Sequence, residues 1–224
     1  MMGCGAGIQF KPNNAFRPSL LSGCVLHLDA QQLALGSVAQ WNDLSGTGNH
    51  ATQATSTARP VNTASQINGK NAVVFDGVDD NLVNVSLSIS QPLVAFVVAR
   101  HTVNATDQYI YDGTGSRCTL YYSVDIPGIY SGLSLNSGTA SPASFELFTA
   151  THNTTSSSLY KSGALAISGD SGSLNFSGLI IGSRFNLINY ISGAIAELIF
   201  YNRAITTAER QRVEEYLRAK YTLY

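Results

Sequence analysis

Glu146 and Glu197 draw attention first, because each interrupts an apolar, strand-like run. Hydrolysis of a glycosidic bond takes two facing carboxyl groups, about 5 to 5.5 Å apart for retention of configuration and wider for inversion. Neither glutamate has an acidic residue two or four positions away, where strand alternation would place a partner on the same face. Both therefore read as structural carboxylates, neutralised by neighbours as buried charge must be. A second acidic set, Asp76-Gly-Val-Asp79-Asp80, gathers oxygen donors at a turn, the ligand type that calcium takes. The competing reading is that Gly77 permits the turn and the aspartates cap it. Asp43 with Ser45, Gly46, Gly48 and Asn49 reads as a self-bonded tight loop. His27, His50, His101 and His152 are scattered, with no H-E-x-x-H pair and no G-x-S-x-G nucleophile turn. Gly113-Thr-Gly115-Ser116 lacks the lysine of a phosphate-binding loop.

The aromatic residues are the stronger lead. Tyr109, Tyr111, Tyr121, Tyr122 and Tyr130 crowd the middle of the chain beside Asp112 and Asp125. Sugar rings stack on flat apolar faces while carboxylates, amides and backbone groups bond their hydroxyls, so these seven residues form the candidate carbohydrate-binding set. The opposing reading places the tyrosines in the core or at a subunit interface. Trp41 reads as a core anchor.

These residues must be positioned by strands. From Cys24 onward, short apolar runs alternate with Gly, Asn, Asp and Ser, among them Leu93-Val-Ala-Phe-Val-Val-Ala99, Tyr109-Ile-Tyr111, Thr119-Leu-Tyr-Tyr122, Leu179-Ile-Ile181 and Ala194 to Tyr201. Ten or more such runs without intervening helices predict an all-β, two-sheet antiparallel sandwich. Leu93 to Ala99 is apolar on both faces and is expected at the centre of a sheet covered on both sides. In the last strand, Ala196, Leu198 and Phe200 are expected on one face and Ile195, Glu197, Ile199 and Tyr201 on the other. One α-helix follows from Thr206, whose spacing to Glu209 forms a capping box and whose stripe of Val213, Tyr216 and Leu217 needs a sheet to bury it. Residues 1–22 lack periodicity and read as an extended N-terminal arm, with residues 23–224 as the domain. Phe10, Lys11, Phe16 and Arg17 are its expected assembly contacts, made with a neighbouring subunit.

Composition narrows the partners. Of 224 residues 44% are hydrophobic and only 12% charged, so Ser, Thr, Asn and Gly must cover the surface. With a net charge of -1 and no basic cluster, neither nucleic acid nor a membrane surface is expected as a partner. Cys4, Cys24 and Cys118 are an odd number, widely spaced, and are expected as free thiols. No secretory or lipoprotein leader is recognised, which leads to an expectation of synthesis in a reducing cytoplasm. The N-x-S/T triplets at Asn84, Asn104, Asn153 and Asn175 are then chance matches.

Leu26-His-Leu-Asp29, Trp41-x-Asp43-x-Ser45-Gly46-x-Gly48-Asn49, Arg59-Pro60, Asn68-Gly69, Phe75-Asp76-Gly77-x-Asp79-Asp80 and Gly193-x-Ile195-Ala196-Glu197-x-Ile199-x-Tyr201-x-Arg203 follow one another in a particular order. With the helix after them, they resemble the laminin G-like branch of the concanavalin A-like lectin/glucanase jelly rolls over roughly residues 24 to 221. The resemblance implies a jelly roll used for carbohydrate or protein binding and adds weight to calcium at Asp76, Asp79 and Asp80 as the alternative to turn capping; capping remains the leading reading there, and no cofactor is otherwise expected. The retaining glucanases of that superfamily carry Glu-x-Asp-x-x-Glu on one strand, a string absent here. The arm running into Phe16-Arg-Pro-Ser-Leu-Leu-Ser-Gly-Cys-Val-Leu-His-Leu-Asp29 is also similar to small structural proteins of tailed bacteriophages. The leading expectation is therefore a non-enzymatic virion protein, a capsid decoration, tail or fibre subunit. It would assemble with other virion proteins and with copies of itself as a symmetric homo-oligomer, and would bind host surface glycans. A lectin-like module is the alternative, and a glycan hydrolase acting through Glu197 the third reading.

Overall fold

A computed structural model describes residues 16–102 and 106–224. In chain order the strands are β1 (Cys24–Asp29), β2 (Gly36–Ser37), β3 (Gln40–Trp41), β4 (Ala51–Thr52), β5 (Val61–Ile67), β6 (Lys70–Asp76), β7 (Leu82–Ile89) and β8 (Leu93–His101). They continue as β9 (Gln108–Asp112), β10 (Thr119–Ser123), β11 (Ile126–Tyr130), β12 (Ser134–Asn136), β13 (Glu146–His152), β14 (Ser157–Lys161), β15 (Ala164–Gly169), β16 (Phe176–Ile181) and β17 (Ser192–Tyr201). The helix α1 (Thr207–Tyr221) closes the chain. The first sheet runs β15-β14-β13-β8-β17-β6-β5-β2, with β1 also paired to β17, and the second runs β12-β11-β10-β9-β16-β7-β4-β3. Their ladders are antiparallel, and the sheets face each other as a jelly-roll-like sandwich with one C-terminal helix among the described residues, as expected.

Two cores result. Between the sheets, Leu26, Trp41, Phe75, Tyr111, Tyr122, Phe176, Leu198 and Phe200 pack together. On the outer face of the first sheet, Phe96, Val98, Ala194, Ala196, Ile199 and Tyr201 meet Val213, Leu217 and Tyr221 of α1. A strand between two apolar layers must be apolar on both sides, and β8 is, lying between β13 and β17 with Leu93 to Ala99 all buried. The capping box is formed: the Thr206 hydroxyl accepts from the Glu209 amide at 3.2 Å and the Glu209 carboxylate accepts from the Thr206 amide at 2.8 Å.

The face assignment for β17 holds from Glu197 onward and breaks at Ala196. The pairing of β17 with β8 slips between Ile195 and Glu197, so Ile195 joins the inter-sheet core and Ala196 the helix side. One extra residue in a strand re-aims those beside it. Ala196 and Glu197 consequently both face α1, which matters for Glu197 below.

The described residues before β1 rest on the sandwich and its helix. Pro18 is buried and its carbonyl accepts from the Tyr201 hydroxyl at 2.9 Å, while the Phe16 ring meets Tyr216 edge-on at 5.9 Å and lies under Arg212 at 4.6 Å. Arg17 lines a hollow beside Phe16 on the same side. Phe10 and Lys11 lie outside the described residues.

Candidate functional site

The helix covers the first sheet only. On the outer face of the second, β9, β10, β11 and β12 present a continuous row of side chains: Tyr109 is opposite Tyr121, Tyr121 opposite Gly128, and Gly128 opposite Asn136. Strict alternation would give Tyr109 and Tyr111 the same face. They part because β10 pairs Leu120 with Tyr111 and Tyr121 with Tyr109, leaving Ile110 as an extra residue in β9. Tyr109 turns outward and stacks on Tyr121, ring centres 5.3 Å apart and planes 17° apart. Gly128 makes the next contact possible, since a Cβ there would lie 2.0 Å from Oδ1 of Asn136. With no side chain in the way, Asn136 crosses β11 and its Oδ1 accepts from the Tyr121 hydroxyl at 2.8 Å.

Arg117 fastens this row to the sheet. Its Nε lies 3.0 Å from both Asp112 oxygens and its Nη2 2.8 Å from Oδ2, a bidentate grip on a carboxylate that solvent does not reach. The Gly113 and Phe185 amides complete the carboxylate shell at 2.8 and 3.0 Å. Burial pushes the Asp112 carboxyl up, and Arg117 and the two amides pull it back only in part. Burial acts downward on Arg117, but Asp112 outweighs it and raises the guanidinium. The guanidinium then spreads over Tyr130 at 4.9 Å, Phe185 at 4.8 Å and Tyr109 at 5.8 Å. Arg184, in the loop before β17, lies over Phe185 at 5.3 Å and Tyr109 at 6.0 Å. Together Asp107, Tyr109, Arg117, Tyr121, Ser123, Tyr130, Ser134, Asn136 and Arg184 enclose a cleft of about 350 Å³.

Of the seven candidate sugar contacts, Tyr109, Tyr121 and Tyr130 thus share one cleft, and Asp112 supports it from beneath. Tyr111 and Tyr122 do not belong to it: both are buried in the inter-sheet core, a correction that follows from the extra residue in β9 and the alternation of β10. The Tyr111 hydroxyl lies 3.0 Å from Nε2 of His152, whose Nδ1 is 2.8 Å from the Ser131 hydroxyl, and burial takes the His152 pKa down to about 3. Tyr122 stacks on His101 at 3.9 Å, and His101 in turn bonds Asp125 at 3.0 Å in the β10–β11 turn, away from the cleft.

The acidic turn is assembled as well. Asp76, Asp79 and Asp80 bring one carboxylate oxygen each to within 4.8 Å of one another, a donor set of the right chemistry for a hard cation. Two of them also serve the turn's own geometry: Asp80 accepts from the Asp76 amide at 2.9 Å, and Asp76 from the Val78 amide at 2.8 Å. The Asp43 loop is self-bonded as expected, its carboxylate accepting from the amides of His27, Ser45 and Asn49, each at 2.9 Å. Burial alone would raise the Asp43 pKa, but these bonds lower it.

Comparison with known proteins adds the fold relationship. No protein-family model and no curated protein matches the sequence. Among solved structures, a sialidase of Trypanosoma rangeli matches with a TM-score of 0.62 at 15% identity, over 89% of this chain and 33% of that one. Domain 4 of a GH43 extracellular arabinanase from Geobacillus stearothermophilus, in complex with arabinotriose, matches at 0.63 and 14%, over 85% of this chain and 98% of that one. The ligand-binding domain of botulinum neurotoxin serotype D, in complex with N-acetylneuraminic acid, matches at 0.62 and 14%, over 86% and 50%. This chain shares their sandwich. It spans about a third of the sialidase and half of the toxin chain. The expectation of a chain without enzymatic activity is corrected here: the sialidase and the arabinanase are glycosidases, so this fold is not a mark of inactivity.

Two features escaped the sequence reading. Arg117, Arg184 and Asn136 complete the cleft, with Phe185 supporting both guanidiniums, but they come from three separate stretches of chain that only the strand pairing brings together. Glu197 does have a carboxylate partner, since Asp29 of β1 is its direct cross-strand neighbour. Lys220 from α1 lies between them, bonded to Asp29 at 2.7 Å and to Glu197, which also accepts from the Tyr221 hydroxyl at 2.9 Å and lies 2.7 Å from Nε2 of His27. Burial would raise the Glu197 pKa, but His27 and Lys220 lower it. With no exposed surface on its side chain and its charge taken up by Lys220, Glu197 holds α1 to the sheet.

Proposed function

We propose that the outer face of the second sheet binds glycans, with the cleft of Tyr109, Tyr121, Tyr130, Asn136, Arg117 and Arg184 as the primary contact. The carrying observation is the convergence of aromatic walls with hydroxyl, amide and guanidinium donors on one cleft in an uncovered, rigidly paired sheet. Such a mixture suits a ligand that has both apolar ring faces and many hydroxyls. The arabinotriose and N-acetylneuraminic acid complexes of structures with this sandwich support the reading at the level of ligand class.

Tyr130 is the residue to test, because it is only half-buried and its truncation leaves both cores intact. Tyr130→Ala is expected to weaken glycan binding at least tenfold by calorimetry, with the melting temperature unchanged within about 2 °C, as for a surface substitution. Absence of binding by the wild-type protein across a broad glycan array would refute the proposal. On the sequence resemblance, the proposal extends to a virion of a tailed phage as the setting in which the domain is displayed. Mass spectrometry of the purified particles tests that extension, and particles lacking the chain would end it.

A further inference from the structure

We infer that the cleft selects glycans bearing a carboxylate, and that Arg184 is the residue that reads it. This inference rests on the glycan-binding proposal and sharpens it. Four charged groups lie in or under the cleft: Asp107, Asp112, Arg117 and Arg184. Asp112 and Arg117 neutralise each other in a bidentate pair. Among the described residues, no carboxylate forms an ion pair with Arg184, and its Nε is buried with no hydrogen-bond acceptor. That Nε lies out of a ligand's reach, but Arg184 lines the cleft and makes no side-chain hydrogen bond among the described residues, so an acceptor supplied from outside the chain is the natural complement of the rest of its guanidinium.

The guanidinium is also held ready for such a partner. Phe185 and Tyr109 support it through their rings, at 5.3 and 6.0 Å, without consuming its donors. Its backbone is fixed at both ends of the loop: the Arg184 amide donates to the Ile188 carbonyl at 3.0 Å, and the Arg184 carbonyl accepts from the Leu187 amide at 2.9 Å. A planar fork of N–H groups matches the two coplanar oxygens of a carboxylate, as Arg117 and Asp112 already demonstrate at the same cleft. A neutral sugar can offer a pair of vicinal hydroxyls at best, without the charge that strengthens the bond. Asp107 on the cleft wall disfavours a second negative charge on the sugar that enters, so the expected ligand carries one carboxylate on that sugar.

The test is an array of acidic oligosaccharides, including oligogalacturonides and N-acetylneuraminyl glycans, each beside its own carboxyl methyl ester and beside sulfated neutral glycans. Wild-type protein is expected to bind at least one acid tenfold or more tighter than its ester, with a preference that shrinks as salt rises. Arg184→Gln is expected to bring acid and ester to equal affinity. Equal binding of acid and ester by the wild type overturns the inference without depending on the fold of any variant, as does a preference that survives Arg184→Gln. Sulfated glycans bound as tightly as the carboxylates would overturn it too. Binding confined to neutral glycans and lost in Tyr130→Ala would sink this inference while leaving the glycan-binding proposal standing. Absence of all binding would sink both.

Discussion

Replacing Lys220 with methionine keeps most of the side-chain volume and removes the one cation that faces both Asp29 and Glu197. Glu197 has no exposed side-chain surface, and Lys220 and Asp29 are 17% and 7% exposed at theirs, so solvent screens the cluster poorly. Removing one partner of a buried ion pair costs about 3 to 5 kcal/mol, because the remaining charge is left uncompensated. His27 and the Tyr221 hydroxyl still donate to Glu197, which favours the lower end, about 3 kcal/mol. For a chain of this length that is a fall of roughly 6 to 12 °C in melting temperature. Acid gives a sharper signature. In the wild type the Glu197 pKa is held below 4.5, so its contribution to stability is present above 4.5 and is lost as pH falls through the folded-state value. Without Lys220 one of the two groups that lower the Glu197 pKa is gone, so it moves up from its wild-type position and protonation costs the folded variant less. The stability gap between wild type and variant must therefore narrow between pH 7 and pH 4, as read by urea denaturation at each pH. The double variant Lys220→Met with Glu197→Gln should recover most of the loss. A single-variant cost under about 1 kcal/mol, or a gap that widens in acid, would refute the assignment of this cluster as the latch of α1.

Two other expectations concern the hairpin that carries Tyr121 and Tyr130. Val124 and Asp125 form its two-residue turn with φ of +46° and +69°, and a β-branched residue in that region costs about 1 to 2 kcal/mol. Val124→Asn places a residue suited to such a turn at a site 53% exposed, and should raise stability by roughly 0.5 to 1 kcal/mol in thermal melts; a fall would show that the valine side chain contributes packing that outweighs its strain. Gly128→Ala puts a Cβ where Oδ1 of Asn136 now lies, and should displace Asn136 from the Tyr121 hydroxyl. Glycan affinity is expected to drop several-fold with the sandwich still folded, and unchanged affinity would remove Asn136 from the site.

Local physics was readable from the residues themselves wherever it acts over a few positions. The capping box at Thr206 depends on a spacing of three, the burial of β8 on an unbroken apolar run, and the Asp43 loop on side chains that reach their own backbone. Site geometry was less readable because it depends on ladder slips that leave no mark in composition. Tyr109 and Tyr111 are spaced like residues on one face, and only the pairing with β10 reveals that an extra residue separates them. Ala196 shows the same effect in β17. The carboxylate beside Glu197 is 168 positions away in the chain by the pairing of β1 with β17, so a search along a single strand could not find it.

The sparse charge of this chain gains meaning from where it falls. With only 12% of residues charged, the sandwich places Asp29, Glu197 and Lys220 on the sheet face that the helix closes, where each charge meets its opposite. On the uncovered sheet the same logic holds for Asp112 and Arg117 and stops at Arg184, which is supported by aromatic rings and paired with no carboxylate among the described residues. A guanidinium held over aromatic rings at the wall of an uncovered cleft, with its donors unspent, is the arrangement on which the inferred preference for an acidic sugar rests. For that reason the open face of the second sheet, and the Arg184 side of its cleft in particular, is where binding should be sought first.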